Sequence, residues 1–436
     1  MDYAENRVCI TPLGGMHNVG ERNCYLVSYQ KKGILLDCGQ KIPEGEGDRE
    51  NLGPEFFPDF SFIQERGIEI VAVVASHGHI DHIGGIPHFV SLFGRNIPVL
   101  GSRFTRRVLD SIVFDGDSLR VPTSLSPTGA LTFGPFAVEM FPVIHSIPGA
   151  SGIRVEVAGQ SIVYLGDFKT RGDQEEEEQF FKTMSLLEQR GVTALLVDST
   201  NPHEEGPTLP EKEAIARIHK VMDDHRAGRI VIATFSSHLK RLSAILEKAD
   251  RQEREVWVAG RSMRRYLEIA EGHRYPWSPY ARTRDRDFPE TLFDAVILMT
   301  GSQGEQNSAL WRFSQGELPI QLHGKNDALV VAANTIPKPH IIDRTGDVIS
   351  GLAGRVTKMY LAPRVAAKGE YTNVTRDHFH VSGHGMLADY RRLFSVIKPA
   401  ICLPVHGERE RRTLFGPLLS PQTTLALLEQ GESLVL

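Results

Sequence analysis

The sequence has little cysteine. Four occur in 436 residues, Cys9, Cys24, Cys38 and Cys402, and no two form a C-x-x-C pair. That excludes a disulfide framework and a cysteine zinc finger, and it makes a reducing compartment, the cytoplasm, the expected location. No apolar run approaches the roughly 18 residues that a membrane span needs. The longest, at 70–75, 295–299 and 328–333, have the length of buried strands. The N-terminus, MDYAENRV, is acidic and polar and lacks the pattern of a signal peptide. Neither sign of charge dominates, since 49 Lys and Arg against 54 Asp and Glu leave −5. A globally basic nucleic-acid coat is thereby excluded, whereas local basic patches are not. With 41% hydrophobic and 24% charged residues the chain is neither disordered, collagen-like nor a coiled coil. At about 150 residues per domain its length allows two to three domains.

Short runs rich in Val and Ile, bounded by Gly, Asp and Asn, dominate the first 200 residues, at 8–13, 23–28, 33–37, 70–76, 97–101, 137–143, 152–157, 162–165 and 194–197. They read as strands, with helical stretches at 85–93 and 179–190. The acidic run Glu175–Glu178 reads as a solvated helix start. After Leu209 the rhythm changes to strict alternation. Helices at 211–227, 237–250, 263–270 and 308–313 interleave with strands at 229–233, 255–259, 295–299 and 328–333, the pattern of a parallel α/β unit. Strands expected at 359–362, 378–381 and 400–404 read as a return to the first kind of structure. The expectation is one domain split by another: 1–204 and 351–436 around an insertion at 205–350.

The strongest local signal follows the strand at 70–75: Ser76-His77-Gly78-His79-Ile80-Asp81-His82-Ile83-Gly84-Gly85. Three imidazoles and a carboxylate at the end of a buried strand would be desolvated together, a cost that a bound cation offsets. Imidazole and carboxylate suit Zn²⁺ and also Mn²⁺ or Fe. One such loop supplies parts of two metal sites and cannot close both. His145, Asp167 and His406 each follow a predicted strand and are suitable completions.

This order of motifs resembles the metallo-β-lactamase fold: Asp37 in Leu35-Leu36-Asp37-Cys38-Gly39, then H-x-H-x-D-H, His145, Asp167 and a late His406. The insertion and its motifs resemble the β-CASP nucleases, and among them the ribonuclease J family. The matching residues are Val197-Asp198-Ser199-Thr200-Asn201, Ala233-Thr234-Phe235-Ser236-Ser237, Gly260-Arg261-Ser262-Met263, Thr300-Gly301-Ser302-Gln303-Gly304-Glu305 and His380-Val381-Ser382-Gly383-His384-Gly385. The step of 22 residues from His384 to His406, and Gly14-Gly15 with Gly20 and Asn23, are also similar to that family. The implied architecture is α/β: a metallo-β-lactamase αββα sandwich with an inserted β-CASP α/β domain.

The resemblance implies that His77, His79 and His145 hold one divalent metal, and that Asp81, His82 and His406 hold another. Asp167 bridges the two, and Asp37 orients the loop from behind. The metals expected are zinc, with manganese as the alternative. The implied reaction is metal-dependent hydrolysis of RNA by an activated hydroxide, as a 5′-to-3′ exonuclease, an endonuclease or both, leaving a 5′-phosphate and a 3′-hydroxyl. Asp81 is expected to accept the proton, His384 to hold the non-bridging oxygens of the scissile phosphate or assist the leaving group, and Asp198, in the family's acidic motif, to be a further catalytic residue. Ser382, Gly383, His384 and Arg261 would bind the substrate, single-stranded RNA. Ser236, His238 and Ser302 would hold a 5′-monophosphate. Four arginine groups could track phosphates: 103/106/107, 261/264/265, 282/284/286 and 409/411/412. Phe235 would stack a base or belong to the core. A DNA-directed β-CASP nuclease, a small-molecule metallohydrolase and a non-catalytic RNA-binding homologue are the competing readings. The chain departs from relatives at Ala333-Asn334-Thr335-Ile336-Pro337-Lys338-Pro339. It also stops at Leu436, where longer relatives carry a domain that contributes to dimerisation, so the expected form is short and the family homodimer is left open.

Overall fold

A computed structural model of the chain describes residues 6–42, 52–112, 129–272, 283–284 and 294–436. Twenty strands are described. In chain order they are β1 (Cys9–Gly14), β2 (Cys24–Tyr29), β3 (Lys32–Leu36), β4 (Glu69–Val74), β5 (Val99–Leu100), β6 (Leu131–Phe133), β7 (Phe136–Pro142), β8 (Ser151–Val157), β9 (Gln160–Tyr164) and β10 (Ala194–Asp198). There follow β11 (Ile230–Ala233), β12 (Val256–Ala259), β13 (Thr283–Arg284), β14 (Val296–Met299), β15 (Ala328–Val331), β16 (Met359–Leu361), β17 (Val374–Arg376), β18 (Ile401–Val405), β19 (Thr424–Leu425) and β20 (Leu434–Val435). They form three sheets, ordered β20-β1-β2-β3-β4-β5, β19-β18-β10-β9-β8-β7-β6 and β13-β12-β14-β11-β15-β16-β17. Among the described residues no helix is long and apolar enough to cross a membrane.

The chain divides into two compact units. The first comprises 1–43, 47–208 and 382–436, and the second 44–46 and 209–381. The first unit holds two sheets whose apolar faces meet. Alternation along β9 and β10 explains the layering. Ile162, Tyr164, Ala194 and Leu196 point into the core shared with Val27, Ile34, Val74 and Val138. Val163, Leu195 and Val197 point the other way, onto Phe180, Met184 and Leu187 of the Gln174–Arg190 helix and onto Leu393 of the Leu387–Val396 helix. Burying each such side chain contributes about 1.5–3 kcal/mol. The Gln174–Arg190 helix begins where the sequence supplies a capping box: Asp173 accepts from the Glu176 amide, and Glu176 accepts from the Asp173 amide. The acidic run is thus its first turn.

The second unit is built on a sheet paired in parallel throughout. Its strands Ile230–Ala233, Val296–Met299 and Ala328–Val331 are buried at every position, as unbroken apolar runs require. Two readings of the sequence are corrected here. The segment 359–362 was expected in the returning part of the first domain, yet β16 pairs with β15 and β17 with β16. Residues 378–381 form no strand. A three-residue strand carries no signal for which sheet it will join, and the return therefore falls at Ser382.

Candidate metal centre

Strand ends of the first unit converge on one point. Parallel pairing of β3 with β4 sets Leu36 beside Val74, so Asp37 reaches Ser76 at the start of the histidine loop. Parallel pairing of β10 with β18 sets Asp198 beside Val405, so His406 emerges next to Asp198. Asp37 (φ 60°) and His406 (φ 59°) are both left-handed. Non-glycine residues adopt that region uncommonly, aspartate and histidine more readily than most.

Seven side chains meet there. His77, His79, His145 and Asp167 form one group and Asp81, His82, Asp167 and His406 another, each with its candidate ligand atoms within 4.8 Å of one another. In the first, His77 Nε2 lies 3.0 Å and His145 Nε2 3.2 Å from His79 Nδ1, and Asp167 Oδ2 lies 3.6 Å from His77 and 3.8 Å from His145. In the second, His82 Nε2 is 3.5 Å from Asp81 Oδ2 and 3.3 Å from Asp167 Oδ2. His406 Nδ1 is 2.9 Å from Asp167 Oδ1. Asp167 belongs to both groups. A third group, Asp167, Asp198, His384 and His406, overlaps them.

Surrounding hydrogen bonds turn these atoms inward. Asp37 accepts from the Ser76 amide (2.6 Å), Ser76 Oγ (2.7 Å), His82 Nδ1 (2.7 Å) and Tyr164 Oη (2.7 Å), which leaves His82 Nε2 facing the cluster. Asn23 Nδ2 donates to the Asp81 carbonyl (3.1 Å), and Tyr25 Oη donates to Asn23 Oδ1 (2.8 Å). His145 Nδ1 donates to the Gly383 carbonyl at 2.8 Å, leaving Nε2 free to ligate. The donor set fits divalent metal. Asp167 Oδ1 and His406 Nδ1 are buried and, although 2.9 Å apart, make no well-directed hydrogen bond to each other or to any other described residue. His77 and His79 set two ring nitrogens 3.0 Å apart, an arrangement that a cation between them relieves.

Electrostatics divides the cluster. Burial pushes His77 and His145 well below the usual imidazole range and His79 down to about 4, so these three are neutral, the form that ligates. His82 and His406 are also pushed down by burial. Asp167 with Asp81 outweighs this at His82 and raises it to about 10, and Asp167 likewise drives His406 well up. Burial alone would raise Asp81, but His82 and His406 hold it down at about 2.

Above the cluster lies the loop that begins at Ser382. Ser382 Oγ accepts from the His384 amide (3.0 Å) and from Asn201 Nδ2 (3.1 Å), Lys169 Nζ donates to the Ser382 carbonyl (3.1 Å), and Thr208 Oγ1 donates to the His384 carbonyl (2.9 Å). Asp389 gathers the amides of Thr170, Thr208 and Met386 below it. A Cβ on Gly383 would stand 2.7 Å from His145 Cε1, so glycine is required for this approach. His384 Nδ1 meets Asp198 Oδ2 at 2.8 Å, and its Nε2 lies 3.9 Å from Asp167 Oδ2. Burial lowers His384, but Asp198 and Asp167 prevail and raise it.

The remaining sequence candidates belong to the second unit and are not part of this cluster. Ser236 and His238 follow β11, Arg261 follows β12 and Ser302 follows β14, so all four sit at the carboxyl edge of adjacent parallel strands. His238 stacks on His380, with ring centroids 5.6 Å apart, and Phe235 touches both rings. Gln303 fixes the unusual segment after β15, donating to the Asn334 carbonyl and accepting from the Ile336 amide. The arginines at 282 and 286 and the side chain at 284 lie outside the described residues. The 409/411/412 group is not a free cationic track. Arg412 is fully buried on the Met16 and Leu428 carbonyls, Arg409 pairs with Glu429 and Arg411 with Glu408.

Sequence reasoning missed Tyr164, Lys169, Thr208 and Asp389. Each acts through one hydrogen bond or a few to a distant segment, and no spacing rule announces such a contact.

Comparison with known proteins gives two family models. The beta-lactamase superfamily domain matches residues 34–229, and the beta-CASP domain of ribonuclease J matches 227–344. Ribonuclease J from Helicobacter pylori is 29% identical over 448 residues, covering 98% of this chain and 60% of its own length. Ribonuclease J from Mycobacterium tuberculosis is 30% identical, covering 97% of this chain and 74% of its own. Ribonuclease J 1 from Streptococcus pyogenes is 29% identical, with 99% and 75% covered. The chain therefore spans about 60% of the length of the Helicobacter relative. A crystal structure of an Enterococcus faecalis protein of unknown function aligns over 99% of this chain and 100% of its own, with a TM-score of 0.64 at 16% identity, which shows a common fold.

Proposed function

The chain belongs to the ribonuclease J family, a metallo-β-lactamase domain with an inserted β-CASP domain, and from that premise we propose that it is a metal-dependent ribonuclease. The observation that carries the reading is the convergence of seven ligand-type side chains beneath a His384–Asp198 pair. His77, His79, His145 and Asp167 would hold one divalent ion, and Asp81, His82, Asp167 and His406 a second. Two such ions supply Lewis acidity, an activated water and charge neutralisation at a phosphate. Zinc suits a set rich in imidazole, with manganese as the alternative.

The chain's own residues do the rest. Asp81, ionised at neutral pH, accepts a proton from the attacking water. The Ser382–His384 loop receives the non-bridging oxygens of the phosphate. His384 Nε2 donates a proton to the departing 3′ oxygen as the P–O3′ bond breaks, leaving a 3′-hydroxyl and a 5′-phosphate. Asp198 positions His384 and holds its proton on the pair. Arg261 would bind the RNA strand. Ser236, His238 and Ser302 would hold a 5′-monophosphate, which favours 5′-to-3′ exonuclease action beside endonuclease action. Its place would be RNA processing or decay in the cytoplasm.

The test is incubation of the purified chain with 5′-monophosphate RNA, 5′-triphosphate RNA and single-stranded DNA, with zinc or manganese and with chelator, alongside His82→Ala. Cleavage of RNA that chelator and His82→Ala both abolish is expected. RNA left intact under all conditions, or cut equally by His82→Ala, sinks the reading, and DNA cleaved in preference replaces the substrate class.

A further inference from the structure

The helix Arg103–Ile112 lies against both loops that carry the first ligand group. It buries Phe104, Thr105, Val108 and Leu109. A Cβ on Gly78, between His77 and His79, would stand 3.2 Å from Val108 Cγ2, and one on Gly149, four residues after His145, would collide with Ser102. The opposite face of this helix is basic. Arg103 and Arg107 are exposed and stand four residues apart, so they project side by side.

Two observations separate this pair from an ordinary solvated face. First, neither arginine has a hydrogen bond or ion pair among the described residues, while Arg106 between them is 3.7 Å from Asp110. Two other exposed arginines of this unit are answered by carboxylates, Arg190 by Glu139 at 2.7 Å and Arg392 by Glu177 at 2.9 Å. Second, the charge order opposes the helix dipole. The first turn has no acidic residue and the last has no basic one, so helix stability gives no reason for cations at this end.

We propose that Arg103 and Arg107 form a contact track for the sugar–phosphate backbone of the RNA, on the outer face of the helix whose inner face packs on the loops of His77, His79 and His145. The inference rests on the ribonuclease reading above. Each arginine meets one phosphate, a contact that positions the strand without reading its sequence. Such contacts release counterions, so they are visible in the salt dependence.

The experiment measures kcat and KM of the zinc-loaded full chain on single-stranded RNA across a range of KCl. It compares wild type, Arg103→Ala/Arg107→Ala, Arg103→Lys/Arg107→Lys and a charge-matched control, Lys182→Ala/Arg392→Ala, on the helices packed against the second sheet. The alanine pair should raise KM on the order of tenfold and make the plot of log(kcat/KM) against log[KCl] shallower by about 1.4, or about 0.7 per lost phosphate. The lysine pair should keep the wild-type slope, because a phosphate accepts a point charge. An alanine pair indistinguishable from the control overturns the track while the ribonuclease reading stands. If the wild type cleaves no RNA, that reading fails, and fluorescence anisotropy with the same RNA decides the track. A slope that depends on the two arginines keeps it, and its absence removes it.

Discussion

His145 and Gly383 are 238 positions apart in sequence and joined by a 2.8 Å hydrogen bond from the imidazole Nδ1 to the glycine carbonyl. The bond makes one residue of the candidate metal centre the support of the loop that carries His384. Whatever holds His145 in place also holds that loop, and the converse is true.

Gly383→Ala tests this coupling. The new methyl would press on His145 Cε1 from 2.7 Å. Both the ring and the loop must shift, and loss of such outer support typically costs about 10–100-fold in metal affinity or activity. Elemental analysis should show reduced metal content and kinetics a reduced kcat, with far-ultraviolet circular dichroism unchanged. Full metal loading with wild-type kcat would contradict the coupling.

Asp198→Asn should leave metal content near that of the wild type and lower kcat by about 10²–10³-fold, the range of a positioned acid. His384→Ala should do the same, and the double variant should be little worse than either single one, since the two act as a unit. Additive losses would show independent roles.

Asp37→Asn replaces a buried carboxylate that accepts four hydrogen bonds by an amide that cannot accept them all. Zinc affinity should fall by roughly 10–100-fold. Tyr164→Phe removes one of the four donors, and a smaller thermal destabilisation, about 1 kcal/mol, is expected from denaturant melts. If Tyr164→Phe proves as damaging as Asp37→Asn, the tyrosine has a part beyond this bond.

Arg412→Ala should behave as a core variant although its neighbours in sequence suggest a basic patch. Its guanidinium satisfies the Met16 and Leu428 carbonyls, and stranding buried acceptors costs about 1–3 kcal/mol. Urea unfolding should move by that amount while the salt dependence of RNA cleavage stays that of the wild type. A shallower salt slope at unchanged stability would return Arg412 to the substrate surface.

Much of the candidate metal centre was legible in the sequence. Four of the seven converging side chains, His77, His79, Asp81 and His82, lie within six consecutive positions, where no bland explanation accounts for so many ligand types at one strand end. His145, Asp167 and His406 were legible because each is a ligand-type side chain just after an apolar run. The alternation after Leu209 likewise announced a parallel sheet, since buried strands and crossover helices leave different periodicities. The return from the inserted unit was not legible, because β16 and β17 have three residues each and their partners decide where they belong.

The sequence by itself therefore determined the chemistry available: which side chains can ligate, where strands end, and that one domain interrupts another. Only the tertiary structure decided which nitrogen of each imidazole faces inward, because that depends on acceptors supplied by remote segments: Asp37 for His82 and Gly383 for His145. It also separated the arginines, burying Arg412 and leaving Arg103 and Arg107 unopposed. Burial and partners come from contacts between distant parts of the chain, and residue type and spacing do not encode them locally.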